Sequence, residues 1–285
     1  MQKTTKNYVI NLQGKKEPFS LQKVYRSARH AGASKKVAQK IADSIKKDLR
    51  VDGIKTSEIF KKVKKQLRQQ EPQAALRFNL KKGMRKLGPT GFPFEKYIGE
   101  IFNRNGFQVQ LNQHIPGLCT SYEIDFLAKK GNLLYIGECK YRNDPGGRTH
   151  LDTALANYAR FLDIKKGRFF QKTFKNLRIK SLLVTNTKLT SQAIRYSECV
   201  GVECLGWKYP KNQGLEHIID TKELYPITIL PSLRNYLAKI FVSQNIMLAE
   251  DILKLDMEKF AKKTRVPLKH LIPLVREARI LLEKN

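Results

Sequence analysis

Two carboxylates and one amine near the middle of the chain have the types and spacing that hydrolysis of a phosphodiester would use. Asp125 lies in Glu123-Ile124-Asp125, and Glu138 and Lys140 flank a cysteine in Glu138-Cys139-Lys140. Breaking a phosphodiester calls for a hard cation that binds the scissile oxygens and acidifies an attacking water, and such cations take oxygen ligands. Asp125 and Glu138 can supply those oxygens. The Lys140 ammonium can orient or help deprotonate the water, or stabilise the charge that builds at phosphorus. Glu95, in Phe94-Glu95-Lys96-Tyr97, is a further acid upstream.

The surrounding pattern says how these groups would meet. Leu133–Cys139 is a mostly apolar run of strand length, so side chains alternate between two faces and Glu138 shares a face with Lys140 while Cys139 turns away. Glu123–Leu127 reads as a second short strand, and Lys129–Asn132, with Gly131, as the turn between them. A hairpin would bring Asp125 beside Glu138 and Lys140. The competing arrangement is a salt bridge between the acids and the lysine, since uncompensated charge in an apolar strand is costly. Phe94, Tyr97, Ile98, Ile101 and Phe102 recur at helical spacing until Gly106, which puts Glu95 at the start of an amphipathic helix. Leu151, Leu155, Tyr158, Phe161 and Leu162 mark another helix within His150–Ile164; Ser181–Asn186 is a further strand, with a helix over Thr190–Val200 and a short strand around Val202–Trp207 after it.

Phe94-Glu95, Glu123-Ile124-Asp125 and Tyr135-Ile136-Gly137-Glu138-Cys139-Lys140, with their order of elements, resemble the PD-(D/E)XK nuclease superfamily, in the branch of Mrr-like restriction endonucleases and archaeal Holliday-junction resolvases. The resemblance covers residues 91 to about 210. It implies that Asp125 and Glu138 bind Mg2+ or Mn2+, that Lys140 acts in catalysis, and that Glu95 completes the acidic site. Ile124 stands where the superfamily name has proline. The loop Arg142-Asn143-Asp144-Pro145-Gly146-Gly147-Arg148-Thr149-His150 leaves the Glu138 strand; Arg142 and Arg148 would meet phosphate there, or the segment is simply a turn. Thr185, Asn186 and Thr190 either touch nucleic acid or cap the helix that begins near Ser191.

The amino-terminal third is a different module. Val9–Ser20 reads as two short strands around Gly14, followed by helices over Leu21–Ala31, Lys35–Leu49 and Ser57–Gln69. With Thr56-Ser57-Glu58-Ile59 and Ala74–Leu80, residues 1 to about 90 resemble the ATP-cone domain, the nucleotide-binding module of ribonucleotide reductases and their repressor. The resemblance implies ATP or dATP as an allosteric ligand, held by Val9, Asn11, Glu17, Phe19, Lys23 and Thr56. Asn11, Leu12 and Gln13 stand in place of the family's Lys-Arg-Asp. Lys15 and Lys16, just past the turn, can replace the missing charge at the phosphates; a degenerate cone kept for assembly or DNA binding is the other reading.

Composition points to a polyanionic partner, DNA above all. Lys plus Arg number 55 against 25 Asp plus Glu, a formal charge of +30, which draws phosphate backbones through counterion release. Residues 1–90 hold 24 basic and 6 acidic residues, or +18 of that total. Lys61-Lys62-Val63-Lys64-Lys65 is the densest run, and such runs are also simply solvated helix faces. Cys119, Cys139, Cys199 and Cys204 form no Cys-x-x-Cys pair, and His30, His114, His150, His217 and His270 are scattered; zinc-ribbon, disulfide and histidine-metal readings are weak. Met1–Lys6 is polar and no apolar run nears bilayer length, so no membrane partner and a soluble, cytoplasmic chain are expected.

Tyr225-Pro226-Ile227-Thr228-Ile229-Leu230-Pro231 reads as a boundary before a helical tail. There, two helices around Thr264-Arg265-Val266, the second opened by Pro267, resemble a helix-hairpin-helix, with Arg265 in place of the hairpin glycine; an oligomerisation bundle is the alternative. The fold expected is α/β (α+β) in three parts: a mainly helical cone over residues 1–90, a nuclease domain with a mixed sheet flanked by helices over 91–225, and a helical domain over 226–285. The function expected is a metal-dependent endodeoxyribonuclease of restriction or defence type, a homo-oligomer (dimer or tetramer), under adenine-nucleotide control. A nucleotide-sensing DNA-binding regulator without cleavage and a Holliday-junction resolvase are the alternatives.

Overall fold

The computed structural model describes residues 8–48, 53–88, 94–144 and 146–283. Its architecture is mixed α and β, as the residue pattern indicates. The chain divides into two compact units rather than three: one drawn from Met1–Met84, Ile227–Leu237 and Ala249–Asn285, the other from Arg85–Pro226 and Ala238–Leu248. Most of residues 226–285 falls in the first unit with the amino-terminal residues.

In the first unit, β1 (Tyr8–Ile10) pairs antiparallel with β2 (Lys16–Pro18). Helix α1 (Leu21–His30) starts where the Ser20 hydroxyl accepts from the Lys23 amide at 3.3 Å, satisfying a donor that the first turn leaves unpaired. Helix α2 (Lys35–Asp48) buries Ala38, Ile41, Ala42 and Ile45, one stripe at three- and four-residue spacing. The expected end of this helix, Leu49, lies outside the described residues. The chain returns as β3 (Ile54–Lys55), parallel to β1 on its other edge, and continues as α3 (Thr56–Gln70), α4 (Pro72–Arg77) and α5 (Leu80–Met84). Val63 and Leu67 of α3 join the α2 stripe in one core, and Phe60 stacks on Phe78 at 4.6 Å.

The second unit is a five-stranded sheet with helices on both faces. Helix α6 (Phe94–Arg104) leads into β4 (Gln108–Pro116), β5 (Ser121–Lys130) and β6 (Leu133–Lys140), an antiparallel meander. Its second turn is tighter than expected, with only Gly131 and Asn132 between the strands and Gly131 at φ +57°. The short β7 (Arg148–Thr149), α7 (Leu151–Lys166) and α8 (Arg168–Thr173) then carry the chain across to β8 (Arg178–Thr185), parallel to β6. After β9 (Lys188–Leu189), which pairs with β7, come α9 (Ser191–Val200), β10 (Glu203–Leu205) and α10 (Leu215–Thr221). The strand order is β10-β8-β6-β5-β4. Phe102 of α6 packs on Phe126 at 5.3 Å and on Tyr135 at 6.2 Å, so one sheet face belongs to α6. Leu134 and Ile136, the alternate positions of β6, pack with Phe161 and Ile164 of α7 on the other.

Beyond Pro226 a 3-10 turn over Ile227–Ile229 precedes α11 (Asn235–Ser243), α12 (Ala249–Leu253), α13 (Met257–Thr264) and α14 (Leu268–Leu282). The tail is tied to the first unit by side chains that reach across more than a hundred residues. Gln73 Nε2 donates to the Leu281 carbonyl at 3.2 Å, and Thr228 Oγ1 to the Gly83 carbonyl at 2.9 Å. A β-carbon at Gly83 would meet the Ile229 backbone at 2.9 Å, so only glycine lets these segments touch. Between α13 and α14, Arg265 takes the left-handed conformation at φ 56°, the position the sequence offers to a hairpin glycine.

Candidate functional site

The acids meet where the β5–β6 ladder ends. Its register runs from Lys130↔Leu133 to Phe126↔Gly137, and the next pair in line is Asp125 and Glu138. Here the strands stop exchanging backbone bonds, and Asp125 Oδ2 instead accepts the Cys139 amide at 2.6 Å. The β4–β5 register skips one position as well: Leu111↔Phe126 is followed by Gln113↔Ile124, leaving Asn112 unpaired at φ 52° opposite Asp125. Ladder interruptions of this kind re-aim side chains, and asparagine is among the few residues that take the left-handed region readily.

Alternation on β6 sends Glu138 to the α7 side, where Arg160 Nη1 donates to Glu138 Oε2. The Glu138 and Arg160 side chains are 15% and 27% exposed, so the pair is largely withdrawn from water. The competing salt bridge foreseen for the acids thus exists, yet its cation is Arg160 and not Lys140. Lys140 is exposed at the strand end, with its carbonyl accepting from Thr185 Oγ1 at 2.8 Å. Cys139 points the other way and is buried, and burial pushes its thiol well above the ordinary range. Glu95, in the first turn of α6, is half-buried, and that helix is anchored by Tyr97, whose hydroxyl donates to the Leu224 carbonyl at 2.8 Å.

Burial is the main reason the Asp125 carboxyl rises from 3.8 to about 6; the neighbouring charges of Glu138 and Glu95 add to it, while the Cys139 amide and Arg160 oppose it. Glu95, Asp125, Glu138 and Arg160 therefore share one electrostatic neighbourhood. Arg160 was the residue that sequence reasoning missed. It sits on the α7 face among Ala154, Asn157 and Ile164, which are buried there, and an arginine at helical spacing with an apolar stripe was the one signal that could have found it.

The basic loop is partly structured. Asn186 accepts from the Arg142 amide and donates to the Arg142 carbonyl, both at 2.9 Å, which pins the chain as it leaves β6. Arg142 Nε is buried with no hydrogen-bond partner among the described residues. Arg148 is exposed in β7, beside Lys188 of β9; Pro145 lies outside the described residues. Thr149, Thr185 and Thr187 form a hydroxyl cluster with separations of 2.9–3.2 Å. Thr190 caps α9 by accepting from the Ala193 amide at 3.2 Å. A separate cavity of about 620 Å3 on the α6 face, lined by Phe102, Tyr135, Leu182, Glu203 and Tyr209 among others, contains none of the four sequence-selected groups.

In the amino-terminal unit a pocket of about 190 Å3 is lined by Val9, Glu17, Phe19, Lys23 and Thr56, together with Phe60 and Phe78. Five of the residues assigned to a nucleotide thus share one concavity. Asn11, Lys15 and Lys16 do not line it. Asn11 is spent on the turn: its Oδ1 accepts from the Gln13 and Lys15 amides at 2.9 and 3.0 Å, and its Nδ2 donates to Glu17 at 2.7 Å. Lys15 and Lys16 are exposed, and the Lys16 ammonium lies 4.8 Å from the centre of the Tyr8 ring. Lys23 and Glu17 stand 3.9 Å apart at the rim.

The ATP cone domain matches residues 7–81, and the family described as AF1548-like, C-terminal matches residues 225–282. An uncharacterized protein of Archaeoglobus fulgidus is 34% identical over 174 residues, which span 59% of this chain and 94% of that protein. The chain belongs to the AF1548-like family. A crystal structure of the protein of unknown function AF1548 superposes with a TM-score of 0.57 at 29% identity, covering 66% of this chain and 96% of its own. Among the described residues no helix is long and apolar enough to cross a membrane.

Proposed function

We propose that the sheet unit hydrolyses phosphodiester bonds in DNA with a divalent cation, Mg2+ or Mn2+, and that the cone binds ATP or dATP and sets its activity. One observation carries the reading: Asp125 and Glu138 face each other where the β5–β6 ladder stops, with the charge of Glu95 felt at Asp125 and Lys140 exposed at the end of the same strand. The donor set suits a hard cation. Its atoms are carboxylate oxygens; burial, with a smaller contribution from the charges of Glu138 and Glu95, raises the Asp125 carboxyl to about 6, and an added cation would relieve both costs. Among the described residues no three acids, histidines or cysteines, Glu95, Asp125 and Glu138 included, are grouped closely enough to hold a metal ion by themselves, so the reading assigns two protein ligands, Asp125 and Glu138. Such an ion, when bound, supplies an acidified water and charge neutralisation at phosphorus. The chain's own groups do the rest. The Cys139 amide fixes Asp125, Glu95 adds negative potential, and the Lys140 ammonium orients the water or meets charge on the phosphoryl oxygens. The surplus of +30 draws the nucleic acid, and Arg142 and Arg148 flank the exit of β6 toward its backbone.

The test is cleavage by the full chain of linear, nicked and branched DNA, with magnesium or a chelator and with or without each nucleotide. Asp125→Ala, Glu138→Ala and Lys140→Ala should each lower the rate by at least about a hundredfold while leaving DNA binding intact. Wild-type protein that binds DNA yet never cuts, whatever the metal and nucleotide, would sink the hydrolytic reading. It would favour the second one, a nucleotide-sensing DNA-binding regulator, which draws support from the closed Arg160–Glu138 pair. Preference for four-way junctions over linear duplex would make the enzyme a resolvase.

A further inference from the structure

Resting on the acidic-site reading just given, we propose that Arg160 is a displaceable internal counterion: it holds Glu138 while the site lacks a cation, and once released presents its guanidinium to a phosphate of the bound strand. The Arg160–Glu138 pair is no loose surface contact, since the two side chains are 27% and 15% exposed. A carboxylate that serves a guanidinium in a half-buried site has less negative charge to offer a second cation. The pair therefore competes directly with metal entry.

The guanidinium also lies near an aromatic ring while it holds Glu138. Its central carbon lies 6.0 Å from the centre of the Tyr122 ring, at the outer limit of a cation–π contact. Tyr122 belongs to β5, paired with Ile115 of β4, so the ring sits on the rigid sheet. One turn along α7, the Asp163 carboxylate accepts from the Cys119 amide at 3.0 Å, and the Asp163 carbonyl accepts from the Leu118 amide at 3.0 Å. Helix and β4–β5 turn are thus locked together, so Arg160 projects from a fixed base. A planar guanidinium with several donors matches phosphate oxygens as well as it matches a carboxylate. Release from Glu138 would then be coupled to capture of the substrate backbone, and loss of Arg160 would push the two affinities in opposite directions.

Titration calorimetry of the full chain with Mn2+, and binding of a labelled DNA duplex in Ca2+, read the two halves separately. Arg160→Gln and Arg160→Met are expected to bind Mn2+ about tenfold more tightly and the duplex about tenfold more weakly than wild type. Arg160→Lys, which keeps the charge but not the fork, should leave Mn2+ affinity near wild type and still weaken the duplex. The inference is overturned if the neutral variants, with circular dichroism like wild type, bind Mn2+ no more tightly, or if duplex affinity is unchanged. Wild-type protein that takes up no Mn2+ removable by Asp125→Asn would instead overturn the acidic site itself and this inference with it.

Discussion

Asp125→Asn should stabilise the sheet unit at neutral pH and do nothing for it in acid. The folded carboxyl sits at about 6, chiefly through burial, against an ordinary 3.8. Below 3.8 the side chain is protonated in folded and unfolded chains alike, so asparagine brings no advantage. Between 3.8 and about 6 the unfolded chain ionises while the folded one keeps its proton, and the stability present in acid is lost as pH rises. Above about 6 both states are charged and the deficit is constant. A difference of about two pH units is worth about 3 kcal/mol, which partial exposure trims to about 2–3 kcal/mol. Asparagine removes the charge and keeps an oxygen for the Cys139 amide, so the bond at 2.6 Å survives the exchange. The assay is urea unfolding from pH 4 to pH 8, followed by the fluorescence of Trp207, the chain's single tryptophan, which is 3% exposed and belongs to this unit. A stability gain that is the same at every pH, or a loss at pH 7.5, would refute the argument that Asp125 is an ionised carboxylate held at a cost.

Gly137→Ala, next to Glu138, would place a β-carbon 2.1 Å from Cζ of the buried Phe126 ring, and should destabilise the same unit by about 1–3 kcal/mol in the same urea assay. Asn186→Ala removes both hydrogen bonds that hold Arg142, and a loss of about 2 kcal/mol by Trp207 fluorescence is expected; an unchanged midpoint would mean the Arg142 segment is not held by that residue. In the cone, Lys23→Ala should weaken ATP by about tenfold in calorimetry while Lys15→Ala leaves it near wild type, because Lys23 lines the pocket and Lys15 does not. Equal effects from the two variants would argue that the phosphates extend along the β1–β2 turn.

Much of this was readable residue by residue. Apolar runs bounded by turn residues located β5, β6 and β8, and alternation alone assigned Glu138 and Lys140 to the face opposite Cys139. The helices around Glu95 and Leu155 followed from apolar spacing, and the cap at Thr190 from its hydroxyl. Less visible was β4, whose residues Gln108, Gln110, Asn112 and His114 are exposed in alternation with half-buried neighbours, because an edge strand with a polar face carries a weak hydrophobic signal. Lys15 and Lys16 were assigned to a nucleotide by charge alone. Neither lines the pocket that holds Glu17, Phe19, Lys23 and Thr56, and both are exposed.

What the residue order determines by itself is what short-range physics determines: which segments are strands or helices, which side chains share a face, and that the chain is strongly basic. Tertiary structure alone decided that Arg160, 22 positions from Glu138, would be its counter-charge. It likewise decided that Asp125 would be held by an amide 14 positions away, and that α14 would pack on α4 of the cone unit. Periodicity acts over a turn or a pleat, whereas these pairings are set by which surfaces the whole chain can bury together, and no local pattern encodes that choice.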